Sequence, residues 1–362
     1  MTGAQLFCSL RAILTRNRRK HEDDINSFPH FWANVPAFDS TIGIHFVALF
    51  SQKPDAVPLL LLHGWPGSFL EFLGILRILR ERYPDPKTLP YHVIVPSLPG
   101  YALSDAPPLN RDFDFEDIAR IFDHLLVQIL GLKGYIGQAG DVGSRVVRIL
   151  AAQYEHCRGT HLNLCNLSQP EGKSVDDLEA YEKKGLERYD QFKAKGAAYA
   201  QMHATRPGTI GLALSSSPLA LLSWVGEKFL EWTDPDSFPA DAKLPETQVP
   251  YSTALMREAL LSVSLYWFSG HAHTNLYSYR HVSTTIGGKD HSYKGYHIHA
   301  PKKLGYSYFP HDIAPTPKSW VATTGNLVDC KIHDKGGHFA ALELPEVLLA
   351  DFEDFVAKVV AE

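Results

Sequence analysis

Gly137–Gly143 reads GQAGDVG, a run of small residues between a short apolar segment, Tyr135–Gln138, and a helical one, Gly143–Tyr154. A strand that turns through small residues straight into a helix is the setting of a nucleophile elbow. Small flanking side chains let strand and helix approach closely and hold one side chain out at the apex. The apex residue here is Asp141, with Ala139 two positions before it and Gly143 two after. A carboxylate at that place can attack carbon and form an ester. An Asp at a helix start also suits the positive end of the helix dipole with no chemistry attached, so the turn alone leaves both readings standing.

Outward from the elbow, strand and helix signals alternate. Gly43–Phe50 and Pro58–Leu62 are short and β-rich or apolar, Ser68–Tyr83 carries leucines at helical spacing, and Tyr91–Pro96 is again strand-like. A helix is expected from about residue 115 to 130. Strands separated by helices imply a parallel sheet with right-handed crossovers. Between 171 and 280 the patterns are helical (Val175–Arg188, Pro218–Trp232, Tyr251–Gly270), and 281–300 is polar, rich in Gly and His, and expected to be an exposed loop. From Leu304 the alternation returns: strands at Gly305–Phe309 and Asn326–Ile332 and a last helix from Pro345 to Val360. The expected division is an N-terminal arm (1–42), an α/β core (43–170 and 301–362) and a helical lid (171–300).

Two loops give the elbow a chemical context. His63-Gly64-Trp65-Pro66-Gly67 follows an apolar strand and precedes a helix. In this architecture such a loop offers a backbone N–H to an oxyanion; the Trp65 amide is the candidate, with the Val142 amide as its partner. An ordinary Gly/Pro turn would read the same way. Gly336-Gly337-His338-Phe339 lies between the last strand and the last helix, where a base belongs in the chain order nucleophile, acid, histidine. His338 is one of 18 histidines, and its place in that order is what singles it out. The acid should sit at a strand end between the two. Asp312 follows the strand at 305–309; its rivals are Asp329, inside an expected strand, and Asp334, too near His338 to reach round its ring. After the strand expected at Thr160–Leu167 only Asn163 and Asn166 are on offer.

Composition narrows the class. In 362 residues, 45% are hydrophobic and 21% charged, and the net charge is −5. These values exclude a disordered chain, and the charge lacks the basic footprint of a nucleic-acid binder. No apolar run reaches the ~18 residues of a membrane helix, and the N-terminal charges follow the apolar patch instead of preceding it as in a secretory signal. Cys8, Cys157, Cys165 and Cys330 form no CxxC pair, which reads as reduced thiols in a cytoplasmic protein. Around the paired histidines at 271/273 and 297/299 carboxylates are sparse, with Asp290 alone in the loop, so no metal site is expected.

With these residues in place, the chain resembles the microsomal-type epoxide hydrolases. The resemblance rests on Ile25–Phe31 (INSFPHF), Leu62–Phe72 (LHGWPGSFLEF), Val95–Tyr101 (VPSLPGY), the elbow, Ser217–Trp232 and Gly336–Pro345 (GGHFAALELP), and covers residues 22–280 and 301–358. It implies the α/β-hydrolase fold, a mostly parallel central sheet flanked by helices with an inserted helical lid. It also implies Asp141 as nucleophile, His338 as base, Asp312 as acid, and two lid tyrosines, Tyr199 and Tyr279, with Tyr277 as the alternative to the second. The implied reaction opens an epoxide to a vicinal diol through an aspartyl ester, with a small apolar epoxide and water as partners and no cofactor. Phe38, Trp65, Trp224 and Leu221 are the expected apolar lining, and a homodimer is left open. The usual Gly-Gly before the nucleophile is Ala139-Gly140 here, and a common Trp after it is Val142. A haloalkane dehalogenase also uses an aspartate but resembles its relatives in placing Trp there for halide, which Val142 cannot replace. A silent binding protein on the same scaffold is the reading from outside enzymology.

Overall fold

The computed structural model describes residues 19–243, 250–281 and 295–361. Eight strands form one sheet: β1 (His30–Ala37), β2 (Ser40–Leu49), β3 (Val57–Leu62), β4 (Tyr91–Pro96), β5 (Tyr135–Ala139), β6 (Cys157–Leu162), β7 (Lys303–Tyr308) and β8 (Leu327–Ile332). Their order across the sheet is β1-β2-β4-β3-β5-β6-β7-β8. β2 runs antiparallel to both β1 and β4, and every pair from β4 to β8 is parallel. The central strands β3 and β4 are apolar through their buried stretches, as strands covered on both faces tend to be. Leu59–Leu62 and Val93–Val95, for example, are each 2% exposed or less.

The covering helices are α1 (Leu73–Arg82), α2 (Phe115–His124), α3 (Asp141–Gln153) and, at the end of the chain, α9 (Lys318–Val321), α10 (Ala340–Glu343) and α11 (Pro345–Val360). Between β6 and β7 the chain leaves the sheet to build a lid from α4 (Ala180–Gln191), α5 (Ala198–Thr205), α6 (Pro207–Ser215), α7 (Pro218–Trp232) and α8 (Thr253–Ser269). α7 starts where its sequence signals a start: Ser217 caps it by accepting from the backbone N–H groups of Leu219 and Ala220, and Pro218 occupies the first turn. α8 ends at Gly270 in the left-handed conformation.

Three expectations shift. The first strand lies at 30–37, inside the stretch expected to be an arm; the sequence HFWANVPA is half-exposed along one edge, so it lacks the continuous apolar run of the inner strands. The strand expected at 160–167 occupies Cys157–Leu162, and Asn163–Leu167 already belongs to the loop above the sheet. The end of the polar 281–300 segment is not exposed loop: Tyr296 and Ile298 are buried, Ile298 bridges to Gly325, and the Tyr296 hydroxyl donates to Glu116 at 2.7 Å. The earlier part of that segment, 282–294, lies outside the described residues, as does Cys8.

Candidate active site

Leu62 pairs with Ala139 across β3 and β5, so the two strands end level and their following loops are neighbours. Asp141 opens α3 with φ of 39°, a left-handed conformation that non-glycine residues rarely adopt. The strain is held by close packing beneath. A Cβ on Gly143 would lie 2.6 Å from the His63 carbonyl oxygen and 2.7 Å from that of Leu62, so only glycine lets α3 seat on the end of β3. The strand–turn–helix reading of GQAGDVG therefore meets a real elbow.

The carboxylate of Asp141 is split between two jobs by its surroundings. Oδ1 accepts the Trp65 backbone N–H at 2.7 Å, and Oδ2 lies 3.3 Å from His338 Nε2. Val142 is buried in the first turn of α3, but among the described residues its amide makes no hydrogen bond to that carboxylate, so the donor in place is Trp65 alone. His63 is not chemical here. Burial lowers its pKa to about 4, its Nε2 accepts the Leu98 backbone N–H at 3.1 Å, and it fixes the neighbouring loop as a neutral ring.

His338 sits between two carboxylates. Its Nδ1 is 2.7 Å from Asp312 Oδ1, which also accepts the Ile313 backbone N–H at 2.6 Å. Burial acts to lower the imidazole pKa, but Asp312 and Asp141 outweigh it and hold the proton, raising the value to about 10. Asp312 comes from the loop after β7 and is 1% exposed. Its rivals are engaged elsewhere: Asp329, on β8, pairs with Lys358 at 2.7 Å, and Asp334 is exposed in a turn. Asn163 accepts from Gln138 and lines the small cavity beside Asp141, and Asn166 accepts the Tyr189 hydroxyl.

The lid brings the two expected tyrosines together. Tyr199 on α5 and Tyr279 in the 3₁₀ segment Thr274–His281 have hydroxyls 3.5 Å apart, with Tyr279 as donor. Both are buried, and burial together with the nearby Asp141 charge drives both pKa values upward, keeping the phenols protonated. Tyr199 stacks on Trp65 at 5.0 Å, and Tyr279 meets the same indole edge-on at 6.0 Å. Tyr277 is half-buried beside His273 and is not part of this pair. Of the expected apolar lining, Trp65 is at the site and Trp224 reaches it through His203, whose Nε2 accepts the indole N–H at 2.9 Å. Phe38 is elsewhere: it packs on Phe113 and beneath Arg111 at the β1–β2 turn.

Three supporting side chains carried no sequence signal. Glu343 accepts the backbone N–H groups of Asp234, Gly337 and Phe339 at 2.8, 2.9 and 3.0 Å. Asp234 accepts the Gly336 N–H at 2.6 Å, and the Trp232 carbonyl accepts the His338 N–H at 2.8 Å. Arg188 on α4 donates to the carbonyls of His311 and Asp312, both at 2.7 Å. The loops holding His338 and Asp312 are thus pinned by the lid and by α10. Lys228 on α7 is buried, ion-paired with Glu227, its ammonium 4.9 Å from the Tyr199 ring centre. Among the described residues, no group of three or more His, Cys, Asp or Glu converges as metal ligands do, and no single helix is long and apolar enough to cross a membrane.

Known proteins share this framework. A family model for the epoxide hydrolase N terminus matches residues 16–72, and one for the alpha/beta hydrolase fold matches 57–195. Epoxide hydrolase 1 of Oryctolagus cuniculus is 32% identical over 372 residues, covering 94% of this chain and 77% of that protein. The chain belongs to the epoxide hydrolase family. The solved structure of Aspergillus niger epoxide hydrolase superposes with a TM-score of 0.85 at 44% identity, over 98% of this chain and 85% of that one. That of the juvenile hormone epoxide hydrolase from Bombyx mori gives 0.78 at 26% identity, over 94% and 81%. This chain has the α/β-hydrolase fold, with an eight-stranded, mostly parallel sheet.

Proposed function

We propose that this chain hydrolyses an apolar epoxide to a vicinal diol in two covalent half-reactions, with Asp141 as nucleophile. The observation that carries the reading is the divided environment of Asp141: one oxygen held by a backbone N–H, the other facing the His338 ring, with two protonated phenols from the lid sensing its charge. An epoxide carbon is saturated, so a serine would leave an ether that water does not readily cleave. An aspartate leaves an ester with a carbonyl to attack.

In the first half-reaction, Oδ2 forms the bond to carbon while the carbon–oxygen bond of the ring breaks, and Tyr199 and Tyr279 donate to the departing oxygen. The proton that stays on that oxygen is replaced, in net balance, by the one His338 carries between its two carboxylates. Esterification then removes the Asp141 charge. One of the two influences raising the His338 pKa is gone, and the imidazole becomes a competent base. In the second half-reaction His338, oriented by Asp312, takes a proton from water as its oxygen attacks Cγ of Asp141. The carbonyl oxygen that turns into an oxyanion is Oδ1, already held by the Trp65 N–H. Collapse expels the alkoxide, which takes the proton of the newly formed Asp141 carboxyl group to give the diol, and leaves aspartate and imidazolium. Water is the sole co-reactant, and no cofactor is required.

The aromatic wall of Trp65, Tyr199 and Trp232 favours aryl or long alkyl epoxides. The free thiols of Cys157, Cys165 and Cys330 suit a reducing cytoplasm, which cell fractionation followed by activity measurement would test. For the reaction itself, diol formation from racemic styrene oxide and phenyl glycidyl ether is measured for wild type and Asp141→Ala. Diol from wild type alone is the expected result. Diol formation that survives in Asp141→Ala overturns the covalent mechanism, and its absence from both proteins overturns the reaction.

A further inference from the structure

Beside Asp141, on the side of the Trp65 loop, lies a small cavity of about 20 Å³ lined by Asp141, His338 and Glu71 among others. Roughly 10–15 Å³ is enough for one water, provided two or more polar groups face it. Asp141 and His338 belong to the chemistry just described, whereas Glu71 has no assigned part in it.

Glu71 lies in the 3₁₀ turn Phe69–Phe72 that Ser68 caps. Its carboxyl fills the space over Gly67: a Cβ built on Gly67 would be 1.4 Å from Glu71 Oε1 and 2.6 Å from its Cδ. The absent side chain at 67 is what admits the carboxyl to the cavity. Among the described residues Glu71 forms no ion pair with Lys or Arg. The nearby Arg77 and Arg257 are committed to Asp24 and Glu258. Its largely buried position pushes the carboxyl pKa up to about 8 against the opposing pull of His338, so near neutral pH it holds its proton, and its oxygens, one of them bonded to the Ser68 backbone N–H, retain lone pairs that can accept. Glu71 also lines an outward cleft of about 490 Å³ between the chain at 20–25, α1, α8 and α10. It therefore stands between that cleft and the cavity at the nucleophile.

We propose that Glu71 is a positioning residue for the hydrolytic water, which it holds between itself and His338 and which reaches the cavity past it from the outward cleft. One water hydrogen faces His338 Nε2 and the other the Glu71 carbonyl oxygen, which leaves a lone pair for Cγ of the Asp141 ester. The inference rests on the two-step reading above and assigns Glu71 to the second step alone.

Single-turnover kinetics test it. Alkylation is followed by tryptophan fluorescence and the aspartyl ester by intact mass after acid quench, for wild type, Glu71→Gln, Glu71→Leu and Gly67→Ala. Alkylation is expected to stay within about 2-fold of wild type in all. Hydrolysis in Glu71→Leu should fall on the order of 10²-fold, the scale of a misplaced reactant, and ester should accumulate in the steady state. Glu71→Gln keeps the accepting oxygen and should recover most of the rate. Gly67→Ala displaces Glu71 without altering it and should resemble Glu71→Leu, so a poorly folding leucine variant leaves the test intact. The inference fails if neither Glu71→Leu nor Gly67→Ala accumulates ester, or if alkylation and hydrolysis decline together. If wild type forms neither diol nor adduct, the reaction class itself is wrong, which is a separate and recognisable failure.

Discussion

Replacing Glu343 should loosen the loop that carries His338. Its Oε2 accepts two backbone N–H groups, from Asp234 and Gly337, and its Oε1 accepts a third, from Phe339. The residue is 7% exposed, so in Glu343→Ala those donors lose an acceptor where little water reaches them. An unsatisfied buried donor costs roughly 1–3 kcal/mol, which puts the alanine variant at about 3 kcal/mol or more of lost stability, a large share of the ~5–15 kcal/mol that typically separates folded from unfolded protein. Glu343→Gln differs in an informative way. Its carbonyl oxygen can keep the two bonds of Oε2, while its amide presents hydrogens to the Phe339 N–H. One contact is lost, worth about 1–3 kcal/mol. At roughly 2 °C per kcal/mol for a chain of this size, alanine should lower Tm by at least ~6 °C and glutamine by ~2–6 °C. Both variants should lose diol formation further than their folded fraction accounts for, because Gly337 and Phe339 flank His338. Thermal melts by circular dichroism and turnover well below Tm check this. An alanine variant that melts like wild type, or one less damaged than glutamine, refutes the reasoning.

Tyr199→Phe and Tyr279→Phe should each slow alkylation, and the double variant should lose on the order of 10²–10⁴-fold with folding intact; a double variant that alkylates at the wild-type rate removes the phenols from the mechanism. Stability should depend on Glu71: with its folded pKa raised from 4.5 to about 8, the folded state binds the proton more tightly, so its contribution is fully present below pH 4.5 and declines as pH rises to 8. Denaturant titrations across that range should show a flatter profile for Glu71→Gln than for wild type, and identical slopes would refute the assignment. Gly143→Ala forces a Cβ against two carbonyl oxygens of the β3 end and should cost ~1–3 kcal/mol through overpacking, read as a lower Tm; an unchanged melt would mean the elbow is looser than its contacts imply.

How much of this was legible in the sequence depends on which force placed each residue. The inner strands announce themselves because parallel strands buried on both faces read as apolar runs, and helices such as Pro218–Trp232 show caps at their starts. β1 was missed because an edge strand buries only part of one face. The elbow, the Trp65 loop and His338 sit at ends of strands, so chain order together with small residues points to them. Glu343, Asp234 and Arg188 act on backbone groups, and any backbone amide or carbonyl looks alike in a sequence. Their partners are set by how the lid comes down on the sheet. The tyrosines show the same limit: Tyr199 and Tyr279 are two of sixteen, 80 positions apart, and only the path of the lid pairs them.

The pinning of the His338 and Asp312 loops by Trp232, Asp234 and Arg188 bears on how this enzyme can be recombined. Exchanging the lid between relatives to alter substrate choice is a natural experiment, with crossovers placed where the chain leaves and rejoins the sheet. In this molecule such a crossover separates His338 from the carbonyl that accepts its amide, and Asp312 from the guanidinium gripping its loop. A chimera that takes a foreign lid without the matching segments at 309–313 and 334–344 inherits a mismatched joint around His338 and Asp312. The transferable unit is the lid together with the two loops it holds.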